Sequence, residues 1–286
     1  MEISHTVINK IILGDNIEVL KNIESNSIDL IYVDPPFNTK KERKLVSIRT
    51  TRDVEGDRTG FAGNRYKSEI IGTKSYNDNY DNYLEFIEPR IREAHRVLTE
   101  SGSFFFHIDH RESHYCKVLI DTIFDRKNFI NEIIWSYDYG ARSKRKWSNK
   151  HDTILFYAKN ANNYTFNYDE IDRIPYLAPA LVGDEKAKRG KTPTDVWWNT
   201  IVPTSGKEKT GYPTQKPLAI LERIIRVHSR ENELVLDFFA GSGTTGEAAI
   251  KNNRRFILID SNAEAIDVMK RRLSKYDNIE FEEEKS

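Results

Sequence analysis

One cysteine, Cys116, in a 286-residue chain excludes an internal disulfide framework and a cysteine-built zinc site. No apolar run approaches the ~18 residues that a membrane helix needs, and the amino terminus has no charged-then-apolar signal. Together these absences read as a chain of the reducing cytoplasm, with no membrane partner. Neither sign of charge is in excess: lysine plus arginine is 44, aspartate plus glutamate is 44, and the formal net charge is zero. Net charge therefore does not announce a polyanionic partner, but the local pattern is uneven. Arg142, Lys144, Arg145, Lys146 and Lys150 follow one another with no acid between them, and Lys40 to Lys74 holds ten basic residues against five acidic ones. Trp135, Tyr137, Tyr139 and Trp147 interleave with the first cluster. Cations among aromatic rings fit phosphate contacts with base stacking; a solvated face is the alternative. The acidic tail, Glu280 to Glu284, reads as a solubilising end.

What the chain has is two strand-to-turn motifs. The apolar run Leu30-Ile31-Tyr32-Val33 ends in Asp34-Pro35-Pro36-Phe37. Proline fixes φ, removes a donor and extends the residue before it. The Asp34 carboxylate and the Pro35 carbonyl then stand as two rigid acceptors beside an aromatic ring. That set suits a planar amine with two N–H donors, the exocyclic amine of a nucleobase. The second motif is Val235-Leu236-Asp237-Phe238-Phe239-Ala240-Gly241-Ser242-Gly243-Thr244-Thr245-Gly246: a strand, a glycine-rich turn and a helix. It has no phosphate-loop lysine and no GxGxxG spacing, which argues against a nucleoside triphosphate. Asp260 ends the next strand, Phe256-Ile257-Leu258-Ile259, where an acid can hold ribose hydroxyls. A ribose-containing cofactor without a pyrophosphate fits S-adenosylmethionine.

These motifs sit in an alternating pattern. Strands are expected at Lys10 to Leu13, Ile28 to Val33, Ser103 to Ile108, Phe129 to Tyr137 and Thr153 to Ala158. Helices are expected at Ile17 to Ile23, Tyr83 to Leu98, Glu112 to Phe124, Lys216 to Ser229 and Ala263 to Tyr276. Alternation of this kind gives an α/β fold with an open, mostly parallel sheet covered on both faces. Ligands then lie beyond the carboxyl ends of the strands, where Asp15, Asp34, Asp237 and Asp260 all fall. Residues 38–79 read as a long, mobile polar loop. Residues 160–211 lack a strong period and hold Arg173, Lys186, Lys188, Arg189 and Lys191. The expected organisation is a catalytic half over 1–159, a recognition insert over 160–211 and a cofactor half over 212–286.

Asp34 to Phe37 and the glycine turn, with Gly14-Asp15-Asn16, Trp135 to Gly140, Lys150-His151-Asp152 and Tyr212-Pro213-Thr214-Gln215-Lys216-Pro217, make the chain resemble the beta-class adenine-N6 DNA methyltransferases of type II restriction–modification systems. The resemblance covers nearly the whole chain. It implies a Rossmann-like, S-adenosylmethionine-dependent methyltransferase fold in which the catalytic motif precedes the cofactor motif. Asp34, Pro35, Pro36 and Phe37 would be catalytic, with Phe37 stacking on an adenine flipped out of duplex DNA. Phe37 stands where tyrosine is commoner, and a core aromatic is the other reading. Phe239, Ala240, Gly241, Ser242, Gly243, Thr244 and Thr245 would wrap the methionine portion and the ribose, with Asp237 ordering their turn and Asp260 on the ribose. Asp15 would accept from the cofactor's adenine amine or cap the following helix. Thr214 and Lys216 would close over the methionine end, unless Lys216 is a surface lysine. Arg142, Lys144, Arg145, Lys146, Trp147 and Lys150 would contact DNA. His107 would line the pocket or serve the core. No metal is implied, and Cys116 is not placed as a cytosine-C5 nucleophile. A separately encoded restriction endonuclease and a second copy of the chain are the partners the resemblance adds. Cytosine N4 as acceptor, and a DNA-binding relative without chemistry, remain as alternatives.

Overall fold

The computed structural model describes residues 9–38, 43–52, 58–59, 65–76, 82–138, 140, 142–203, 206 and 208–284. The chain divides into two compact units, Met1–Pro35 with Leu84–Ser286, and Pro36–Tyr83.

The larger unit holds strands β1 (Asn9–Leu13) and β2 (Ile28–Val33) around helix α1 (Asn16–Lys21). The smaller unit holds β3 (Arg43–Arg52), β4 (Arg58–Thr59) and β5 (Arg65–Tyr76). Then come α2 (Tyr83–Val97), β6 (Leu98–Ile108), α3 (Ser113–Phe124), β7 (Phe129–Ser136), β8 (His151–Ala158), α4 (Asp184–Arg189) and β9 (Val196–Trp198). The chain finishes with α5 (Leu218–His228), β10 (Leu234–Asp237), α6 (Thr244–Lys251), β11 (Arg255–Asp260), α7 (Ala263–Leu273) and β12 (Ile279–Glu283). Nine strands form one sheet in the order β12-β1-β11-β10-β2-β6-β8-β7-β9. From β12 to β6 every pairing is parallel; β8 runs antiparallel to both β6 and β7.

The central strands are near-continuous apolar runs because helices cover the sheet. Ile28, Leu30, Ile31, Tyr32 and Val33 of β2 and Phe104, Phe105 and Phe106 of β6 are all buried. Helix α5 buries Ile220, Leu221, Ile224 and Ile225, the one-sided spacing of an amphipathic helix. Gly246 lets α6 lie close on β11, since a Cβ there would come within 2.7 Å of Leu258 Cδ1. Under α5 the core is aromatic: the Phe105 and Phe156 rings stack at 4.4 Å, and His228 lies 4.6 Å from Phe156. Burial pushes the His228 imidazole down to about 3, so it packs as a neutral ring.

Three sequence expectations change here. The stretch read as a mobile loop, 38–79, contains a three-stranded antiparallel sheet in the order β3-β5-β4. Its strand formers, Val46, Ile48, Thr50 and Thr51 against Ile70, Ile71 and Thr73, are spaced by charges that hide the alternation. The rest of that stretch, including Lys40, lies outside the described residues. The acidic tail forms β12, which pairs with β1 and ties Lys10 to Glu282 at 2.5 Å. An edge strand rich in glutamate resists pairing with another chain, so the tail has a structural job. The aperiodic 160–211 stretch contributes β9, which extends the main sheet beside β7. Among the described residues no helix is long and apolar enough to cross a membrane.

Replacing Phe156 by alanine removes a stacked, buried ring from this core. The expected loss is about 3–5 kcal/mol in urea unfolding; a change below about 1 kcal/mol would move the core elsewhere.

Candidate active site

Strands β2 and β10 are parallel neighbours, with Val235 beside Leu30 and Leu236 beside Ile31. After β2 the chain moves to β6 on one side; after β10 it moves to β11 on the other. The winding reverses between these two strands, which opens a crevice at their carboxyl ends. Asp34 and the glycine turn enter it side by side. Asp260 and Asp15 follow on β11 and just beyond β1, the next strands along the same edge.

The turn is held by its own side chains. Asp237 is buried, accepts from Phe239 N at 3.0 Å through Oδ1, and from the Thr245 hydroxyl at 2.5 Å through Oδ2. Asp260 accepts from Gly241 N at 2.8 Å and from Asn262 N at 2.9 Å, so it fastens the turn to β11. Gly241 and Gly243 have φ of +50° and +72°, a region that costs other residues strain. A Cβ on Gly243 would also lie 2.9 Å from Met269 Cγ. Ser242 and Thr244 face Arg272, whose Nη1 donates to the Thr244 hydroxyl at 2.9 Å. The hydroxyls of Ser242, Thr244 and Thr245 therefore brace the turn. The turn and the opening of α6 lie at the crevice edge, where the first backbone N–H groups of a helix have no partner within it.

Asp34 is bound on one side and open on the other. Its Oδ2 accepts from Lys216 Nζ in an ion pair whose side chains are 17% and 9% exposed. Its Oδ1 is buried with no hydrogen-bond partner among the described residues. A buried acceptor without a donor is costly, so this oxygen is built to meet one. Lys216 is no surface lysine; it is buried directly before Pro217, which caps α5. A cation at a helix amino terminus opposes the helix dipole, and the Asp34 carboxylate offsets that cost. The preceding residues are fixed as well. Thr214 has φ +61°, rare for a β-branched side chain, and the Gln215 carboxamide bonds Thr210 N and Glu208 O.

Beneath Asp34 lies a buried polar chain that the sequence reading does not assemble. Tyr32 Oη bonds His107 Nδ1 at 2.7 Å, His107 Nε2 bonds Asp152 Oδ2 at 3.2 Å, and Tyr137 Oη donates to Asp152 Oδ1 at 3.1 Å. Burial pushes the Asp152 carboxyl up, but His107, Lys216 and Tyr137 together hold it below its usual range. Burial likewise holds the Tyr32 hydroxyl protonated. His107 is thus a satisfied core histidine joining β2, β6 and β8. An acid opening the apolar run Ile154-Leu155-Phe156-Tyr157 is the signal that could have found it.

The remaining candidates divide. Asp15 caps α1, accepting from Ile17 N at 3.0 Å, and meets Arg90 at 3.3 Å. Pro35 is buried in the larger unit; Pro36 and Phe37 open the smaller one and are partly exposed. Lys144, Arg145, Lys146 and Trp147 are exposed on the β7–β8 loop. Arg142 there pairs with Asp138 at 2.8 Å, and Lys150 Nζ donates to Gly140 O at 3.1 Å. Tyr139 lies outside the described residues. Among the described residues no cluster of three or more His, Cys, Asp or Glu is placed to hold a metal.

The sequence profile of the DNA methylase family matches residues 28–271. The chain belongs to that family. Among curated relatives, the type II methyltransferase M.HpaI of Haemophilus parainfluenzae is 34% identical, covering 92% of this chain and 74% of its own. The DNA adenine methyltransferase YhdJ of Escherichia coli is 32% identical over 96% of this chain and 85% of its own. In fold, the methylase matches the M1.HpyAVI–SAM complex with a TM-score of 0.58 at 23% identity, covering 92% of this chain and 98% of that one. The cytosine-N4-specific PvuII DNA methyltransferase matches with a TM-score of 0.59 at 17% identity, covering 96% and 95%.

Two measurements follow from this geometry. Lys216→Met is expected to lower kcat about 100-fold, the scale for losing one preorganised charge, with Lys216→Arg recovering part of it. A loss confined to cofactor affinity would place Lys216 on the cofactor instead of on Asp34. Burial raises the Asp237 carboxyl to about 7, above the ordinary value of 3.8. Its folded-state value exceeds the unfolded one, so the proton favours folding at low pH, and that stability is lost as pH rises through about 7. Urea titrations should show this loss in the wild type and a flatter profile in Asp237→Asn, which can keep both hydrogen bonds; equal profiles would remove Asp237 as the source.

Proposed function

We propose that this methylase transfers a methyl group to N6 of an adenine extruded from duplex DNA, at a specific short sequence. The observation that carries this reading is the unpartnered, buried Oδ1 of Asp34 beside the glycine turn. The N6 lone pair is delocalised into the purine ring, which makes the amine a poor nucleophile. An acceptor on each N–H, Asp34 Oδ1 and the Pro35 carbonyl, favours the pyramidal amine and frees that lone pair. Lys216 holds the carboxylate in place through their ion pair while positive charge develops on the amine. Most of the rate gain is then positioning and electrostatics, with no covalent enzyme intermediate. The neutral amine product forms when one N–H proton leaves toward the acceptors. Phe37 offers a ring on which the extruded base can stack.

S-adenosylmethionine supplies the electrophilic methyl group when bound. The residues present fit it. The α6 amino terminus suits the methionine carboxylate, and Asp260 has a further lone pair on each oxygen for ribose hydroxyls. Asp15, at the end of β1, is within the same edge for the adenine amine, and Thr214 covers the methionine side. The basic β7–β8 loop would hold phosphates, and 160–211 would read bases; arginine pairs with guanine edges. We infer further that the enzyme acts in the cytoplasm, alongside a separately encoded endonuclease that reads the same sequence, and that it pairs with a second copy.

Asp34→Ala should abolish methyl transfer while leaving cofactor and DNA binding intact. Single-molecule sequencing of DNA from a methylase-free host would read this directly: wild type marks adenine in one motif, the variant marks none. N4-methylcytosine in the wild type would replace adenine as the acceptor, and unmarked DNA would overturn the assignment. Replacing Lys144, Arg145 and Lys146 by alanine should flatten the log–log dependence of DNA affinity on salt by about 0.9 for each phosphate the variant no longer neutralises. An unchanged slope would make this stretch a solvated surface.

A further inference from the structure

The chain has four tryptophans and treats them differently. Trp135 and Trp197 are buried at 3% and 7% exposure, Trp198 on β9 is 71% exposed, and Trp147 is the most exposed of the four at 96%. A side chain with so large an apolar area is seldom left wholly in water without a partner. The described residues at the base of the loop that carries it are tied together. Tyr137 N donates to Lys150 O at 2.9 Å, which closes the stem, and the Tyr137 hydroxyl anchors to Asp152. Nearer the tip, Ser143 N donates to Ser148 Oγ at 2.8 Å, spanning the four residues Lys144 to Trp147. Three exposed cations precede the indole, so the tip suits a polyanion that also presents flat apolar faces.

The position of the tip narrows its task. Strand β7 points the same way as β2, so the loop leaves the sheet at the edge where Asp34 stands. Its far stem, at His151 and Asp152, lies on β8, two strands from β2, or about 10 Å at ordinary strand spacing. The base of the loop thus shares with Asp34 the edge of the sheet at which a base leaving the duplex would be received.

We propose that Trp147 is the wedge that enters the base stack when the target nucleotide is extruded, holding the gap open while Asp34 engages the amine. This rests on the reading of the chain as a methylase of extruded bases. The wedge costs DNA unstacking and regains contact for an indole otherwise left in water. Lys144, Arg145 and Lys146 brace the phosphates on either side of the gap. Trp147 is a positioning residue, and it touches neither the reacting amine nor the methyl donor.

The test compares two synthetic duplexes of the motif found by sequencing, one with the target base paired and one with it opposite an abasic site. A base without a pairing partner leaves the helix at lower cost, so its extrusion needs less help. Trp147→Ala should lower kcat/KM on the paired duplex roughly 10- to 100-fold, the range for losing one base–aromatic stack. On the abasic duplex the loss should be less than about threefold, and Trp147→Phe should retain most activity on both. With 2-aminopurine at the target, the fluorescence rise on binding should shrink for Trp147→Ala on the paired duplex alone. Equal losses on both duplexes would make Trp147 a plain contact on the outside of the DNA, and no loss on the paired duplex would remove it from extrusion; either overturns the proposal. Failure of the wild type to methylate either duplex would instead overturn the methylase reading beneath it.

Discussion

The parallel pairing of β2 with β10 is the constraint on which the site depends. The two strands lie some two hundred residues apart in the chain, and each is too short to be stable alone. Paired, they carry Asp34 and the glycine turn out of the sheet at the same level. The bond from Leu234 N to Asp29 Oδ2, at 2.9 Å, fixes their register at the opposite end. A slip of one residue would exchange the side chains packed on the two buried faces and part the carboxylate from the turn. Register thus decides whether the carboxylate and the turn meet.

Charge in this crevice is arranged by burial more than by number. Asp237 and Asp260 are both raised by desolvation, and both accept backbone amides of the turn. They act as local fasteners, which suits groups that need not carry full charge. Asp34 differs because a lysine faces it. Holding a lone lysine at the start of α5 is unfavourable on its own, so the ion pair couples the Thr210–Pro217 segment to the strand that ends at Asp34. The strained backbone at Thr214 lies in that same segment.

Much of this is legible in the sequence. The apolar runs, the double proline and the glycine turn are local signals, and each marks its element and its place at a strand end. Lys216 stands out in its motif, but its partner does not, because an ion pair across 182 positions leaves no local trace. The same holds for Tyr32, His107, Asp152 and Tyr137, which meet only after β2, β6, β8 and β7 pair. The β3–β5 sheet escapes for a different reason: its residues are strand formers diluted by charge, and composition outweighs propensity. In the tail, glutamate suggests solvent, whereas Ile279 and Phe281 show the alternation of an edge strand.

That edge strand has an electrical consequence. The acidic β12 closes one end of the nine-stranded sheet, and the basic β7–β8 loop rises near the other. Seven strand spacings put them roughly 30 Å apart, beyond the screening length of physiological salt, about 8 Å. In a chain with no net charge, the acidic edge and the basic loop therefore act on their surroundings independently. Within a screening length of a polyanion the basic loop is attracted and the acidic edge repelled, so the two ends of the sheet are not equivalent to it.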